Sequence, residues 1–227
     1  MMKYALVTGS TRGIGAAIAD KLRENDFCVF RNSRGESNDP QTIQADLSTI
    51  DGVNKLADAV LTQVAMLDCV VLNAGATCRK SLKEIGHTDW QTVIDTNVTM
   101  PFFLVQRLFD RISDGGSLLF VSSATSIKPH ATSVPYGVTK AAVNMLAQSL
   151  VKEFAPRGIR VNVICPGFIG TDWQKEKPDW LREKIESKIA LKRFGTPNEV
   201  ADACLLLINN SYLNGAIVQV DGGYDFE

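Results

Sequence analysis

Residues Thr8–Gly15 read TGSTRGIG and lie between the apolar run Tyr4–Val7 and a stretch of helical period over Ile14–Asn25. Glycines at a turn from a strand into a helix let backbone N–H groups approach a pyrophosphate at the helix N-terminus. The spacing is Gly-x-x-x-Gly-x-Gly, a longer turn than the frequent Gly-x-Gly-x-x-Gly pattern. An ordinary glycine-rich turn is the alternative, but three glycines in this setting favour a phosphate-binding loop.

Short apolar runs alternate with longer helical segments along the rest of the chain. The runs are continuously apolar, as expected for strands covered by helices on both faces. We therefore predict an α/β fold with a doubly wound parallel sheet of seven strands, in one domain spanning residues 1–227. The predicted strands are Tyr4–Val7, Phe27–Phe30, Thr42–Ala45, Cys69–Leu72, Ser117–Val121, Ile159–Ile164 and Ala216–Val220. The predicted helices are Ile14–Asn25, Val53–Val64, Asp89–Arg111, Val134–Phe154 and Pro197–Leu207.

The composition argues against several classes of protein. Lys and Arg total 24 against 25 Asp and Glu, so the chain lacks the positive field that nucleic-acid binding requires. No apolar stretch reaches the roughly 18 residues of a membrane span, and no signal-peptide pattern opens the sequence. The five cysteines form no C-x-x-C pair, which indicates buried thiols and no structural metal. We expect a soluble, cytoplasmic protein that binds neither nucleic acid nor membrane.

The end of the second predicted strand indicates which dinucleotide binds. NAD enzymes usually carry an acid there, about 20 residues beyond the glycine loop, to hold the ribose 2′-hydroxyl. This chain has Asn32-Ser33-Arg34 instead, and no carboxylate before Glu36. Arg34 can pair with a 2′-phosphate, Ser33 can donate a hydrogen bond to it, and Arg12 can close on it. Both arginines can also be read as solvated surface residues, but with the acid missing they favour NADP(H).

Ser123, Tyr136 and Lys140 are the candidates for chemistry. Ser123 follows the fifth predicted strand, at the edge where open α/β sheets bind ligands. Tyr136 comes thirteen residues later, and the i, i+4 spacing places Lys140 on the same helix face. A neighbouring ammonium is expected to lower the tyrosine pKa from about 10, so that Tyr136 exchanges a proton with a carbonyl oxygen held by Ser123. A core tyrosine beside a surface lysine is the alternative.

Asn97 lies four residues before Pro101 within the predicted helix Asp89–Arg111. Proline has no N–H, and its ring clashes with the carbonyl at position i−4. The Asn97 carbonyl should therefore leave the helix ladder, and a kink there would let it hold a water on a proton path from Lys140 to solvent. A kink that only serves helix packing is an equal alternative.

Six motifs in order resemble the short-chain dehydrogenase/reductase family, in its compact single-domain branch. They are Thr8–Gly15, Asn73-Ala74-Gly75, Asn97, Ser123, Tyr136-x-x-x-Lys140 and Pro166-Gly167, and the match extends to Val220–Gly223. Tyr-x-x-x-Lys alone is a weak pattern, but the ordered set is specific. The resemblance implies a Rossmann fold and hydride transfer from NADP(H) to a carbonyl. It implies four catalytic residues: Asn97, Ser123, Tyr136 and Lys140.

The resemblance also implies contacts with the cofactor. Asn73 would lie near the adenosine ribose, Asp46 near the adenine amine, and Thr171 at the nicotinamide carboxamide, while Lys140 would bond the nicotinamide ribose. With the residues already singled out, the predicted cofactor contacts are Gly9, Ser10, Thr11, Arg12, Gly13, Ile14, Gly15, Ser33, Arg34, Asp46, Leu47, Asn73, Ala74, Gly75, Tyr136, Lys140, Pro166, Gly167, Ile169 and Thr171.

Substrate choice is predicted to lie in a lid at about residues 168–195. An amphipathic lid helix is suggested by Leu181, Ile185, Ile189 and Leu191. An apolar pocket wall, or packing of the lid on the body, is suggested by Trp173, Phe168 and Trp180. The other side of the pocket is assigned to Val134, His130 and Thr77.

Within the family, the best substrate guess is a 3-oxoacyl thioester. An acidic carrier protein would need a basic rim, for which Arg107, Arg111 and Arg157 are candidates, diluted by Asp110 and Asp114. A small ketone, quinone, sugar or steroid-like alcohol is the alternative. A non-catalytic dinucleotide sensor is disfavoured because the serine, tyrosine and lysine are all present.

Two further expectations concern shape and assembly. The helices Asp89–Arg111 and Val134–Phe154 are candidates for an isologous interface in a homodimer or homotetramer. Only about a dozen residues separate Arg34 from Asp46, where relatives often have another helix. The adenosine side is therefore expected to be more open.

Overall fold

The computed structural model describes residues 2–129, 133–175, 177–224 and 226, and strands and helices alternate along them. The strands are β1 (Lys3–Val7), β2 (Phe27–Ser33), β3 (Thr42–Gln44), β4 (Leu67–Leu72), β5 (Ile112–Val121), β6 (Arg160–Pro166) and β7 (Ile217–Val220). The α-helices are α1 (Gly13–Arg23), α2 (Ile50–Leu61), α3 (His87–Ile94), α4 (Met100–Arg107), α5 (Val134–Phe154), α6 (Asp172–Lys175), α7 (Asp179–Glu186) and α8 (Pro197–Asn209).

The described strands form one parallel sheet in the order β3-β2-β1-β4-β5-β6-β7. On one face, Leu6, Leu118 and their neighbours pack against α2, α4 and α5. On the other, Val71, Leu119 and their neighbours pack against α1 and α8. The strand order reverses between β1 and β4, which is where doubly wound sheets bind ligands at their carboxyl edge. The predicted seven-stranded Rossmann fold is confirmed.

Strand β2 runs three residues beyond its predicted end, because the polar Asn32 is buried inside it. The Asn32 amide donates to the carbonyls of Ile43 (3.3 Å) and Ala45 (3.1 Å), and its Oδ1 accepts from the Gly9 N–H (3.2 Å). One side chain therefore ties β2 to the following chain and to the glycine loop. A search for apolar runs stops at such a residue.

The predicted helix Asp89–Arg111 is not continuous. Helix α3 passes into a π-helical turn over Asp95–Thr99, in which the Met100 N–H donates to the Asp95 carbonyl five residues earlier. Helix α4 follows, and a 3₁₀ turn at Phe109–Arg111 ends the segment. Because Pro101 has no N–H, the regular i→i−4 ladder breaks opposite Asn97. The break lies where the proline argument predicts it.

The chain between β2 and β3 contains no helix in the described residues. A cluster of charged side chains holds it in place. Asp39 accepts hydrogen bonds from Arg23 (2.9 Å), Arg31 (3.2 Å) and the Gln41 backbone N–H (2.9 Å). Burial would raise the pKa of Asp39, but these bonds outweigh it and hold the pKa below its ordinary value. The short loop is thus attached to both α1 and β2.

The predicted lid helix is present as α7, but α7 ends at Glu186, before Ile189 and Leu191, and a separate short helix, α6, precedes it. Ile185, Ile189, Phe194 and Tyr224 form a small core of their own, with Phe168 packed against it. The Phe168 ring lies 5.2 Å from the Tyr224 ring, which supports the alternative that Phe168 packs the lid.

One lid prediction was wrong: Leu191 is 63% exposed and does not belong to a buried helix face. Trp180 is 64% exposed and does not pack the lid on the body. Leu191 lies beyond the end of α7, where its N–H bonds the Gly222 carbonyl and the next residue, Lys192, has a positive φ of 55°. The helical spacing that connected Leu191 to Ile185 therefore does not hold.

Candidate active site

The predicted cofactor residues gather at the carboxyl edge of the sheet. Because the strands are parallel, their ends meet along one edge, and each group of predicted residues follows one strand. The loop Gly9–Gly15 follows β1, Ser33-Arg34 closes β2, Asp46-Leu47 follows β3, Asn73–Gly75 follows β4, and Pro166–Thr171 closes β6.

The glycine loop is built against the end of β4. Asn73 donates its amide to the carbonyls of Thr8 and Gly9, each at 3.0 Å. A Cβ at Gly15 would lie 2.4 Å from the Asn73 amide nitrogen, and Gly9 has a positive φ of 60°. A side chain at Gly15 would push Asn73 away, so both glycines are required for this packing.

The N-terminus of α1 is suited to an anion. Its N-cap residue Arg12 makes no side-chain cap, and its first turn carries no acid. The first N–H groups of the helix and the positive end of its dipole are therefore left for an external anion. Thr171 covers the loop, because its Cγ2 lies 3.3 Å from the Cβ position of Gly13. These features fit the diphosphate of a dinucleotide.

A cavity of ≈390 Å³ adjoins this loop. It opens between the start of α1, the lid and the start of α8, and carries two basic side chains. The lining residues are Gly13, Gly170, Thr171, Asp172, Lys175, Arg182 and Pro197.

Of the residues predicted to select NADP(H), Ser33 contacts the glycine loop, whereas Arg34 and Arg12 are exposed. Thr11 of the glycine loop donates to the Ser33 hydroxyl at 3.4 Å, and Arg34 is exposed beside it in sequence. Arg12 is exposed and acts on the lid, where it adds to the lowering of the Asp172 pKa that Lys175 causes. Asp46 accepts two hydrogen bonds from Ser48. Their contacts with a cofactor remain predictions.

Ser123, Tyr136 and Lys140 lie together beyond the end of β5. Lys140 is buried and its ammonium donates to the Val121 carbonyl at 2.8 Å. The Ser122 hydroxyl donates to the Lys140 carbonyl at 3.0 Å, which attaches α5 to the strand end. The Ser123 hydroxyl donates to Thr125 Oγ1 at 3.2 Å and acts on the Tyr136 hydroxyl, whose pKa it lowers, so the two hydroxyls lie side by side. Two helical residues and one strand-end residue therefore share one site.

Burial sets the charge state of this site. It raises the pKa of Tyr136 to about 12, which the hydrogen bond with Ser123 offsets only in part. It lowers the pKa of Lys140 to about 8. The expected lowering of the Tyr136 pKa by Lys140 is not found, since the Lys140 ammonium is 5.6 Å from the tyrosine ring centroid and directed to Val121. Tyr136 is protonated at neutral pH.

The side chain of Asn97 makes three hydrogen bonds within the protein. Its Oδ1 accepts from the Ala76 N–H at 2.7 Å, and its amide donates to the Ala76 carbonyl and to Thr139 Oγ1, each at 2.9 Å. Gly75 separates Asn97 from Lys140, with a Cβ position 3.3 Å from Asn97 Oδ1 and 3.6 Å from Lys140 Nζ. The sequence did not identify Thr139 as a partner of Asn97. Its position directly before Lys140 is the feature that could have indicated it.

Trp173 is the lid residue that reaches the site. Its ring centroid lies 6.0 Å from that of Tyr136, with an interplanar angle of 60°. Arg79 donates to the Trp173 carbonyl at 2.9 Å, which attaches the start of α6 to the loop after β4. No sequence motif marked Arg79. Val134 is half exposed and Thr77 partly buried, while His130 lies outside the described residues.

The proposed basic rim is far from this site. Arg157 bonds the carbonyls of Phe109 and Ile112, at the start of β5, and pairs with Asp114. Ser123 follows the other end of that ten-residue strand, roughly 30 Å away at about 3.3 Å per residue. Arg107 pairs with Asp58 at 2.6 Å. These arginines cannot form the rim of the active site.

Within the described ranges, no helix combines the length and hydropathy needed to cross a bilayer. The same residues contain no group of three or more His, Cys, Asp or Glu side chains placed to hold a metal ion.

Comparison with known proteins gives one consistent family. A family model described as enoyl-(acyl carrier protein) reductase matches residues 9–225. The 3-oxoacyl-acyl-carrier-protein reductase FabG of Aquifex aeolicus is 32% identical, over 97% of this chain and 96% of the relative. Glucose 1-dehydrogenase 2 of Bacillus subtilis is 33% identical, over 97% and 94%.

A solved structure agrees. A short chain dehydrogenase from Burkholderia cenocepacia J2315 in complex with NADP is 27% identical, with a TM-score of 0.89 over 98% of both chains. The sheet, the glycine loop and the full-length matches lead to one assignment: the chain belongs to the short-chain dehydrogenase/reductase family of nicotinamide-dependent oxidoreductases.

Proposed function

We propose that this chain is an NADP(H)-dependent carbonyl reductase in which Tyr136 donates the proton. The observation that supports this most is the adjacency of the Ser123 and Tyr136 hydroxyls, with buried Lys140 behind them at the carboxyl edge of the sheet. A carbonyl oxygen needs two donors there, one to hold it and one to protonate it, and the two hydroxyls supply them.

A bound nicotinamide cofactor supplies the hydride. Ser123 orients the substrate oxygen by donating a hydrogen bond. Tyr136 protonates that oxygen, and with a pKa of about 12 it holds its proton at neutral pH. Tyr136 is thus the acid in the reduction that we propose, and as the phenolate it would be the base in the reverse reaction.

Reprotonation of Tyr136 is assigned to Lys140 and to the main chain of Asn97. Lys140 is cationic at neutral pH, since its pKa is about 8. The break in the helix at Pro101 leaves the Asn97 carbonyl without a proline N–H partner, which allows it to accept a hydrogen bond from a water between Lys140 and solvent. The engaged side chain of Asn97 holds the backbone in place for this role.

The choice of NADP(H) is assigned to Ser33, Arg34 and Arg12. Asn32 occupies the strand position before Ser33, where it bonds backbone and offers no carboxylate to a ribose 2′-hydroxyl. An exposed Arg34 supplies positive charge for a 2′-phosphate. The Burkholderia cenocepacia structure in complex with NADP is consistent with this choice.

The substrate is assigned as a 3-oxoacyl thioester, following the name of the Aquifex aeolicus relative. The Bacillus subtilis glucose dehydrogenase is similar to the same degree, so a small ketone, quinone, sugar or steroid-like alcohol is the second candidate. Residues 168–195 are proposed as the lid over this pocket, with Trp173 as its wall at Tyr136.

We also assign a homodimer or homotetramer. Large apolar side chains are exposed on both α4 and α5, which the sequence marked as interface helices. They are Phe102 and Phe103 on α4, and Val138 and Met145 on α5.

A panel of carbonyls tests the proposed function. NADPH oxidation is followed with a 3-oxoacyl thioester, free ketones, a quinone and a sugar lactone, for the natural chain and for Tyr136→Phe. If the natural chain reduces one class of carbonyl and Tyr136→Phe does not, the result supports the proposed carbonyl reductase. NADPH binding without turnover of any member would favour the dinucleotide sensor instead.

A further inference from the structure

A chain of three polar side chains, two of them buried, connects β6, α5 and the turn that carries Ser123. Cys165 Sγ donates to Asn144 Oδ1 at 3.8 Å. Asn144 Nδ2 donates to Ser126 Oγ at 2.8 Å, and Ser126 Oγ donates to the Ser123 carbonyl at 2.6 Å. We call these residues, Cys165, Asn144 and Ser126, the Ser123 support network.

The directions of the two hydrogen bonds at Ser126 are fixed by its neighbours, and its oxygen also lies 3.6 Å from Cys165 Sγ. Ser126 has one proton and gives it to the Ser123 carbonyl, so its oxygen accepts from the Asn144 amide. That orientation leaves Asn144 Oδ1 on the side of the Cys165 thiol. Burial raises the pKa of Cys165, so the thiol keeps the proton that it donates. Rotating the Asn144 amide by half a turn would place two acceptors, Asn144 Oδ1 and Ser126 Oγ, against each other.

The network joins the two parts of the proposed active site. Asn144 lies one helical turn after Lys140 and two turns after Tyr136, on the same helix α5. Ser126 belongs to the 3₁₀ turn Ala124–Ser126, whose N-cap is Ser123. The Ser122 bond to the Lys140 carbonyl fixes the strand end. The network adds a second, independent attachment, and it acts on Ser123 itself.

Burial restricts the movement of the side chains in the Ser123 support network. Asn144 and Cys165 are both buried, and Ser126 is partly buried. A polar group in such a place has no water to replace a lost partner, so each member holds the next in position. The Ser123 hydroxyl also bonds Thr125, which places its donor direction under control of the same turn.

We propose that Asn144 and Ser126 are positioning residues that set the Ser123 hydroxyl against Tyr136. The inference rests on the proposed function, since Ser123 matters only if it holds the substrate oxygen. The two residues touch neither substrate nor cofactor in this role. Their loss should therefore lower the rate of the chemical step and leave cofactor binding unchanged.

Single and double variants of the holoenzyme test this. Ser126→Ala removes the donor to the Ser123 carbonyl, and Asn144→Leu removes the amide at similar volume. We expect each to lower kcat about tenfold, with the NADPH dissociation constant from fluorescence within about twofold of the natural value. Because both act through one path, the double variant should be no slower than the worse single variant. Ser126→Thr keeps the hydroxyl and should restore kcat to within about twofold.

The control is Ser149→Ala, which removes a hydroxyl that bonds the Met145 carbonyl on the exposed side of the same helix. It should leave kcat unchanged. A role in stability alone would lower Tm without lowering kcat per folded molecule, and folded molecules are counted by NADPH binding. Should Asn144→Leu not fold, Ser126→Ala with its Ser126→Thr rescue carries the test.

Tyr136→Phe in the same assay separates the two proposals. If Tyr136→Phe is inactive and both Ser126→Ala and Asn144→Leu retain natural kcat, the positioning role is wrong and the reductase stands. Additive losses in the double variant would also overturn it. If Tyr136→Phe retains activity, the proposed function itself fails.

Discussion

The indole ring of Trp173 lies 6.0 Å from the ring of Tyr136, at an angle of 60°, and its carbonyl is held by Arg79. The lid segment therefore places an aromatic ring beside the residue proposed as the proton donor. We therefore expect a substrate whose carbonyl reaches Tyr136 to contact this indole.

Truncating this wall should change which substrates are accepted. We expect Trp173→Ala to raise kcat/KM for ketones with bulky substituents relative to small ketones by about tenfold, which is about 1.4 kcal/mol of discrimination. Trp180→Ala is the matched control, because that tryptophan is exposed on the same lid. An unchanged substrate ranking in Trp173→Ala would show that the indole only packs the lid.

Cofactor choice should depend on Arg34. We expect the natural chain to bind NADPH at least tenfold more tightly than NADH, and Arg34→Ala to remove most of that preference by weakening NADPH alone. Arg111→Ala, an exposed arginine at the amino edge of the sheet, is the control. Fluorescence titration of both cofactors provides the measurement. Equal affinities of the natural chain for the two would contradict the assignment.

The activity should fall in alkaline solution as Lys140 loses its proton. Burial lowers the Lys140 pKa to about 8, so the cation is present below pH 8 and lost above it. We expect kcat/KM to decline with an apparent pKa near 8, whereas Tyr136 titrates far higher. Lys140→Arg stays charged, and its residual activity should lack this decline. A decline at the same pH in Lys140→Arg would assign it to another group.

The charge cluster at Asp39 should stabilise the short loop after β2. We expect Asp39→Ala to lower the free energy of unfolding by about 1–3 kcal/mol, because a partly buried carboxylate with several donors is lost. Asp58→Ala breaks an exposed pair with Arg107 and should cost less than about 1 kcal/mol.

The effect at Asp39 should also depend on pH in a definite direction. Its folded-state pKa lies below the ordinary 3.8, so the carboxylate contributes stability above that value and loses it as pH falls through the folded pKa. Urea unfolding at pH 7 and at pH 3 should show a smaller difference between Asp39→Ala and the natural chain at the lower pH. A constant difference would exclude the ion pairs as the cause.

Much of this molecule could be predicted from its sequence where a local rule decides the outcome. Helix α5 was predicted with its observed ends, because Ser133 and Pro135 begin it and Ala155–Gly158 ends it. The break opposite Asn97 followed from the missing N–H of Pro101 alone. The motif residues converged because all strands are parallel and the motifs follow strand ends.

The features that were not predicted depend on contacts between distant parts of the chain. The role of Leu191 was set by Gly222 and that of Phe168 by Tyr224, more than thirty and fifty residues away. The pKa of Tyr136 was expected to be low from the nearby lysine, but the depth of burial outweighs that neighbour. The arginines of the supposed basic rim are close in sequence to helix ends, yet lie at the wrong edge of the sheet.

Tyr136→Phe tests most directly whether Tyr136 is the proton donor of a carbonyl reductase. The change removes one hydroxyl and keeps the ring that contacts Trp173. On a substrate found with the natural chain, we expect kcat to fall about 10²- to 10⁴-fold, the range for loss of a general acid, with NADPH affinity within about twofold. A Tyr136→Phe variant that keeps kcat within about threefold of the natural value would contradict that role.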